Sequence, residues 1–331
     1  MKGIKFIILA VFVGLLFLLN LFLGSVSIPP EKVFAILAGN GEGVEKFIIM
    51  GNRLPMALTA LVAGAGLAVS GLLLQTAFRN PLAGPSILGI NSGASLGVAI
   101  VMLLLGGVIT AGSLSVAGYA AVIFGALAGS LLIMGVLLGL SSVLKSDLML
   151  LIAGIMIGYI VSSAITLLNF SSSAQGLQGY VMWGMGTFNG VSGERLPVFC
   201  IITCIGLLIS FLLVKPLDLL LLGDAYARNL GINITRIRNL LLLATGILTA
   251  SVTAFCGPVS FIGLAVPHIT RLLFPTDIHR VLLPATALMG AAVALACSVV
   301  CMLPEGSVIP LNAVTPVIGA PVVLWVILRK R

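Results

Sequence analysis

Between Asn80 and Leu144 the chain carries no charged side chain. Further charge-free runs cover 6–30, 54–78, 148–193, 196–214, 239–270, 281–304 and 306–328. A helix needs roughly 20 apolar residues to cross a bilayer, and every run but 196–214 reaches that length. Soluble domains carry about 25% charged residues. This chain of 331 residues has 8%, with 60% hydrophobic residues and a mean hydropathy of +1.26. Such a composition suits lipid, and the chain reads as an all-α polytopic membrane protein, one bundle of many helices.

Charge placement sets the number of crossings. Lys2 and Lys5 precede the first run, and Arg329, Lys330 and Arg331 follow the last. Basic loops stay cytoplasmic, so both termini are assigned inside and the count is even. Runs 6–30, 54–78, 196–214, 281–304 and 306–328 are single-helix lengths. Arg79 and Lys145 bracket a run that should cross twice. Run 148–193 reads as one helix and an outside loop, because "NFSSSAQGLQGYVMWGMGTFNGVSG" is too polar to span. Arg271 and Arg280 belong inside, which requires two short helices in 239–270, broken at "CGPVSFIG". Ten transmembrane helices result. All but four of the 17 basic residues then lie inside; Lys32, Lys46, Arg53 and Arg195 lie outside.

Run 6–30 exceeds the apolar core of a secretory leader and reads as a retained helix. The net charge of +8 sits in short loops and reports orientation, not nucleic-acid binding. Cys200, Cys204, Cys256, Cys297 and Cys301 fall in apolar runs, where cysteine behaves as a small hydrophobe. Cys297 and Cys301 are one helical turn apart, but two thiols are an incomplete metal site.

No carboxylate lies within any charge-free run, and His268 is the one histidine there. His268 follows Pro267 near a cytoplasmic end and suits a capping or interfacial role. A proton-coupled carrier usually holds ionisable groups in its spans, and an intramembrane enzyme needs a nucleophile with a base or metal ligands. Neither class fits well, and no catalytic residue, metal site or cofactor is assigned. No G-x-x-x-x-G-K-[ST] phosphate loop is present. If the chain pumps, another subunit supplies the energy from inside. The largest inside loop, Lys215 to Asn239, has room for structure of its own. Within it Gly223 and Gly231 bracket "DAYARNL". Asp224 at its start and Arg228 toward its end suit the helix dipole, and Gly231 suits a left-handed stop. Tyr226, Ala227 and Leu230 are expected to form a rigid docking surface. The small Ala227 would let a partner approach.

The stretch Asn52–Gly97, "NRLPMALTALVAGAGLAVSGLLLQTAFRNPLAGPSILGINSGASLG", resembles the first half of the iron-chelate/haem/cobalamin permease family of ABC importers. "LGDAYARNLG" (Leu222–Gly231) resembles its coupling loop. "GPVSFIGLAVPHITRL" (Gly257–Leu272), "HRVLLP" (His279–Pro284) and "GAP" (Gly319–Pro321) follow in family order. The resemblance spans essentially residues 1–331 as one permease domain. It implies the type II importer architecture: an inverted-repeat bundle of ten helices in the cytoplasmic (inner) membrane. The implied partners are membrane lipid, a second permease copy, two cytoplasmic ATPases on the 215–239 loop and an outer substrate-binding protein. The implied cargo is an iron–siderophore or haem, with cobalamin as the alternative.

Helix 5 of such permeases lines the path, which assigns Gly154, Gly158 and Ser162 to it. The turn before it gates the cytoplasmic end, at Ser146 and Asp147. Gly89, Gly93 and Gly97 repeat every four residues and suit close helix packing. Asn91, Ser92, Ser95 and Gln75 are read as packing hydrogen bonds or path lining. Arg53 corresponds to an outer basic residue that docks the binding protein. The chain departs from the pattern at Met56, where a second basic residue is usual. It departs again at "ACSVVC" around Cys297 and Cys301, and at "VIPLN" (Val308–Asn312).

Overall fold

The computed structural model describes residues 2–24, 26–104, 116–144, 146–231, 233–303 and 308–329. The side chains of Asp147, Asp224 and Arg228 lie outside the described residues, as do Lys145, Lys330 and Arg331. The described chain is helical. Helix α1 spans Lys2–Phe22, and the short α2 (Pro30–Leu37) and α3 (Gly43–Ile48) follow. A π-helical turn, Ile49–Arg53, joins α3 to α4 (Leu54–Ala77). Next come α5 (Ile90–Ala99), extended by a π turn to Leu104, α6 (Val116–Val143), α7 (Asp147–Phe170) and α8 (Ala174–Gly184). After these come α9 (Leu196–Leu212), α10 (Val214–Leu221) and α11 (Asp224–Asn229). The last are α12 (Ile234–Cys256), α13 (Ile262–Leu273), α14 (His279–Met302) and α15 (Leu311–Arg329).

Six helical stretches are long and apolar enough to cross a bilayer alone, and α9 with α10 forms a further span bent by 50°. Three shorter apolar helices, Ile90–Leu104, Ile262–Leu273 and Leu311–Trp325, bring the number to about the expected ten. At 1.5 Å per residue a 12-residue helix covers about 18 Å, less than the bilayer core, so α13 crosses only with its neighbouring loops.

Two features depart from the expected layout. Run 239–270 breaks into two helices at "CGPVSFIG" as expected, but the first is long: α12 begins at Ile234, inside the segment assigned to the inner loop. Asn233 explains the early start: its Oδ1 accepts from the Arg236 N–H at 3.0 Å and caps the helix. The expected outer loop after α7 contains α8, whose first turn is capped by the Ser173 hydroxyl accepting from the Gly176 N–H at 3.2 Å.

Helices α4 and α12 are apolar all round and form the centre, with 83% and 78% of their spanning windows buried. Each is followed by a Gly/Pro break and a shorter helix, the echo expected of an inverted repeat. The windows of α1 and α7 are only 22% buried. Glycine sets the tightest contacts. A methyl added at Gly97 or Gly93 of α5 would overlap the Gly125 or Gly129 carbonyl oxygen of α6. The same holds for Gly71 of α4 against Gly263 of α13, and for Gly64 of α4 against Gly290 of α14.

Side-chain bonds sort the helix ends onto two faces. Lys5 Nζ donates to the Leu273 carbonyl at 2.7 Å, pairing the start of α1 with the end of α13. Thr76 near the end of α4 meets His279 at the start of α14 at 2.8 Å. These ends share the face rich in basic residues. On the opposite face, Asn312 at the start of α15 donates to the carbonyls of Gly184 and Pro258, and its Oδ1 accepts from the Ser260 N–H. The break after α12 is thereby tied to the end of α8.

Candidate functional site

On the basic face, α10 and α11 form the docking candidate. Leu217 and Leu220 of α10 are buried against Val69, Leu72 and Leu73 of α4 and Leu282 and Leu283 of α14. Gly223 and Gly231 adopt left-handed backbone, φ +101° and +81°, and bracket α11 as expected. Ala227 is a correction. It is 0% exposed and packs into the bundle's own core with Ile234 and Ile237. Its small size serves the fit of α11 onto the bundle, not the approach of a partner. Tyr226 on the free face of α11 and Leu230 just after the helix are 57% and 54% exposed, next to exposed Leu222.

The polar residues assigned to the path divide. Gln75 is buried: its Nε2 donates to the Leu264 carbonyl at 3.1 Å and its Oε1 accepts from Arg271 Nη1 at 2.8 Å. Asn91 is buried too, and its Oδ1 accepts from the Thr253 hydroxyl at 3.1 Å. Both tie helices together, the packing role of the two that were expected. Gly154 is closed off against Leu88 and Gly89, where α7 meets the start of α5. Ser92 lies beside Gly158, half-buried, and Ser95 lies near the Tyr180 side chain of α8. Ser162 is exposed on α7, on a face shared with Tyr159 and Met156. Ser146 occupies the capping position of α7 in extended conformation, without a side-chain cap bond. His268 is buried, with Nε2 2.8 Å from the Pro81 carbonyl oxygen, and so braces the "RNPLAGP" turn.

Arg53 is the second correction. It was expected to offer a free charge at the outer face. Instead it is 4% exposed, and its guanidinium donates to the carbonyls of Leu21, Phe22 and Val26. Phe22 ends α1, and the last carbonyls of a helix have no intrahelical partner, so the arginine from the π turn caps α1. Arg53 also borders a cavity of about 320 Å³ with Asn52, Asn189, Ser298 and Cys301. Cys297 and Cys301 are both buried on α14, and among the described residues no three His, Cys, Asp or Glu side chains gather into a metal-binding group. Arg53→Leu is expected to destabilise the detergent-solubilised protein by about 3 kcal/mol, from stranded carbonyls. The loss should persist at high salt, because buried bonds are little screened. A thermal unfolding series across salt concentrations measures it; a docking-only arginine would leave the unfolding temperature unchanged.

A bundle with about ten crossings, Gly/Pro breaks after its two central helices and a glycine-bracketed helix on its basic face agrees with the sequence comparison. The profile of the FecCD transport family matches residues 10–329. The chain belongs to the FecCD transport family. This FecCD permease is 36% identical over 322 residues to the vitamin B12 import system permease protein BtuC of Klebsiella pneumoniae, covering 95% of this chain and 90% of that one. It is 38% identical over 286 residues to the BtuC of Salmonella typhi, covering 84% and 82%. Among solved structures, an inward-facing metal-chelate type ABC transporter matches with a TM-score of 0.86 at 29% identity, covering 100% of both chains. The FecCD chain is thus the membrane permease of an ABC importer. ATP is hydrolysed by a separate subunit, and a substrate-binding protein is a partner.

Gln75, Asn91 and Arg53 give no sequence signal that separates a packing role from a functional one. Asn312, Asp218 and His279 were not singled out as site residues, and their partners lie far away in the chain.

Proposed function

We propose that this permease imports cobalamin, reversing the order in which iron chelate or haem came first. The observation that carries this reading is the identity of 36% over 95% of the chain to a vitamin B12 permease. The metal-chelate type transporter of similar fold favours the second reading, a chelated iron cargo. Two copies would form the path between them, each binding one ATPase through α10 and α11 on the cytoplasmic side. Both chain ends share that side, in keeping with the basic loops. The sparsely buried α7 would face the partner copy, with Ser162, Ser92, Ser95 and Gly158 near the conduit and Ser146 and Asp147 at its inner gate. A large cargo that arrives already chelated needs a wide, weakly binding surface, and serines and glycines supply one.

The test is uptake in a bacterial strain deleted for its own cobalamin permease, supplied with this chain, its ATPase and its binding protein. Labelled cyanocobalamin should accumulate saturably and depend on ATP hydrolysis. Accumulation of a ferric hydroxamate without cyanocobalamin would overturn the cobalamin reading in favour of the second.

A further inference from the structure

A polar chain, buried at His279 and Thr76 and partly exposed at Asp218, joins the docking segment to the bundle. Asp218 lies on α10, a few residues before α11. Its Oδ1 accepts two bonds from one residue, the His279 backbone N–H at 2.8 Å and the ring Nδ1–H at 2.7 Å. A carboxylate only accepts, so the ring proton is on Nδ1. That leaves Nε2 as an acceptor, and the Thr76 hydroxyl donates to it at 2.8 Å. His279 is 1% exposed and Thr76 is buried. The neighbour of Thr76, Gln75, extends the chain to α13 through the Leu264 carbonyl and Arg271.

The placement of each group is specific. His279 is the first residue of α14, where backbone N–H groups lack partners and the helix dipole favours negative charge. Asp218 therefore caps α14 from a different helix. Thr76 lies in the last turn of α4. Leu217 and Leu220 hold α10 against the same two helices by apolar contact. Apolar contact is non-directional and resists sliding poorly. Two bonds to one carboxylate oxygen fix the position of α10 along α14, and the Thr76 bond fixes α14 against α4.

We propose that His279 is a positioning residue for coupling, and that the Asp218–His279–Thr76 chain carries displacement of the docking segment into α14 and α4. This rests on the reading of α10 and α11 as the ATPase contact. Adhesion comes from the leucines, so breaking the polar chain should leave the complex assembled but poorly coupled.

The experiment uses the complete complex, permease with ATPase and binding protein, in proteoliposomes. His279→Ala and Thr76→Val are each compared with the unaltered chain. Three quantities are read: ATPase subunit retained on purification, ATP hydrolysis without binding protein, and labelled cyanocobalamin moved per ATP. Stimulation of hydrolysis by the binding protein gives a fourth readout that does not depend on the cargo assignment. Retention and unstimulated hydrolysis should be unchanged, while transport per ATP and stimulation each fall about tenfold, the scale of one buried hydrogen bond. The double variant should be no worse than either single one, because both break one chain. Thr76→Val keeps the side-chain shape and carries the test if His279→Ala fails to assemble. Unchanged transport per ATP and stimulation in an assembled Thr76→Val complex would overturn the proposal, as would additive losses in the double variant. If the unaltered permease retains no ATPase subunit, the coupling reading itself fails and this proposal falls with it.

Discussion

Gly97→Leu is expected to abolish folded permease. A Cβ at this position would overlap the Gly125 carbonyl oxygen, and backbone cannot move aside as a flexible side chain can. The contact is reciprocal, since a Cβ at Gly125 would lie 2.8 Å from the Gly97 oxygen. One turn away, Gly93 and Gly129 repeat the arrangement. Separating α5 from α6 to admit a leucine would break the α5–α6 seam and disturb the contacts of both with α12. The cost is about 3 kcal/mol or more, at the upper end for overpacking. The control lies on the facing helix: a Cβ at Gly139 of α6 meets nothing within 4 Å. Gly139→Leu should insert and purify normally. Size-exclusion profiles and thermal unfolding in detergent compare the two, and a monodisperse Gly97→Leu protein of unaltered stability would refute the contact.

Tyr226→Ala combined with Leu230→Ala should release the ATPase while leaving the permease folded. Both side chains are more than half exposed, Tyr226 on α11 and Leu230 just after it. Large, partly apolar residues of this kind dominate interface energies, and removing both should weaken association roughly a hundredfold. Ala227→Trp should behave differently from the sequence-based expectation. Its side chain would enter the space beside Ile234 and Ile237, so the permease's own stability falls first. Co-purification of the ATPase, read together with permease unfolding temperature, separates the two outcomes. Normal retention of the ATPase by the double-alanine variant would remove α11 from the interface.

The charge-free runs made most spans legible, because a helix in lipid excludes charge along its crossing. At α12 the criterion found the break after Cys256 but missed the start, which lies before Arg236 and Arg238; Asn233 caps the helix there, and a charged first turn can sit at the membrane surface. It also missed α8, whose short amphipathic stretch looks like a polar loop until the Ser173 cap and the stacked Tyr180–Trp183 pair are seen. The glycines of α5 were legible as a close-packing face, but their partners on α6 were not. Site residues were harder for a physical reason. A single amide in an apolar helix looks the same whether it faces a conduit or a neighbouring helix. The partner of Asn91 is 162 residues away and that of Gln75 is 189 away, so only folding reveals them. Arg53 was misread in the same way, as a loop charge, because the π turn that swings it onto the end of α1 leaves no mark in composition.

The glycine seams divide the molecule mechanically. At Gly71 and Gly64 helix α4 meets α13 and α14 backbone to backbone, and at Gly93 and Gly97 helix α5 meets α6 in the same way. Each set behaves as a stiff plate. Relative motion is then confined to joints where side chains intervene, above all along α7, the least enclosed of the later spans. A permease built like this is expected to open by tilting plates against each other more than by bending helices, so that thicker bilayers alter its opening rate more than its sealed shape.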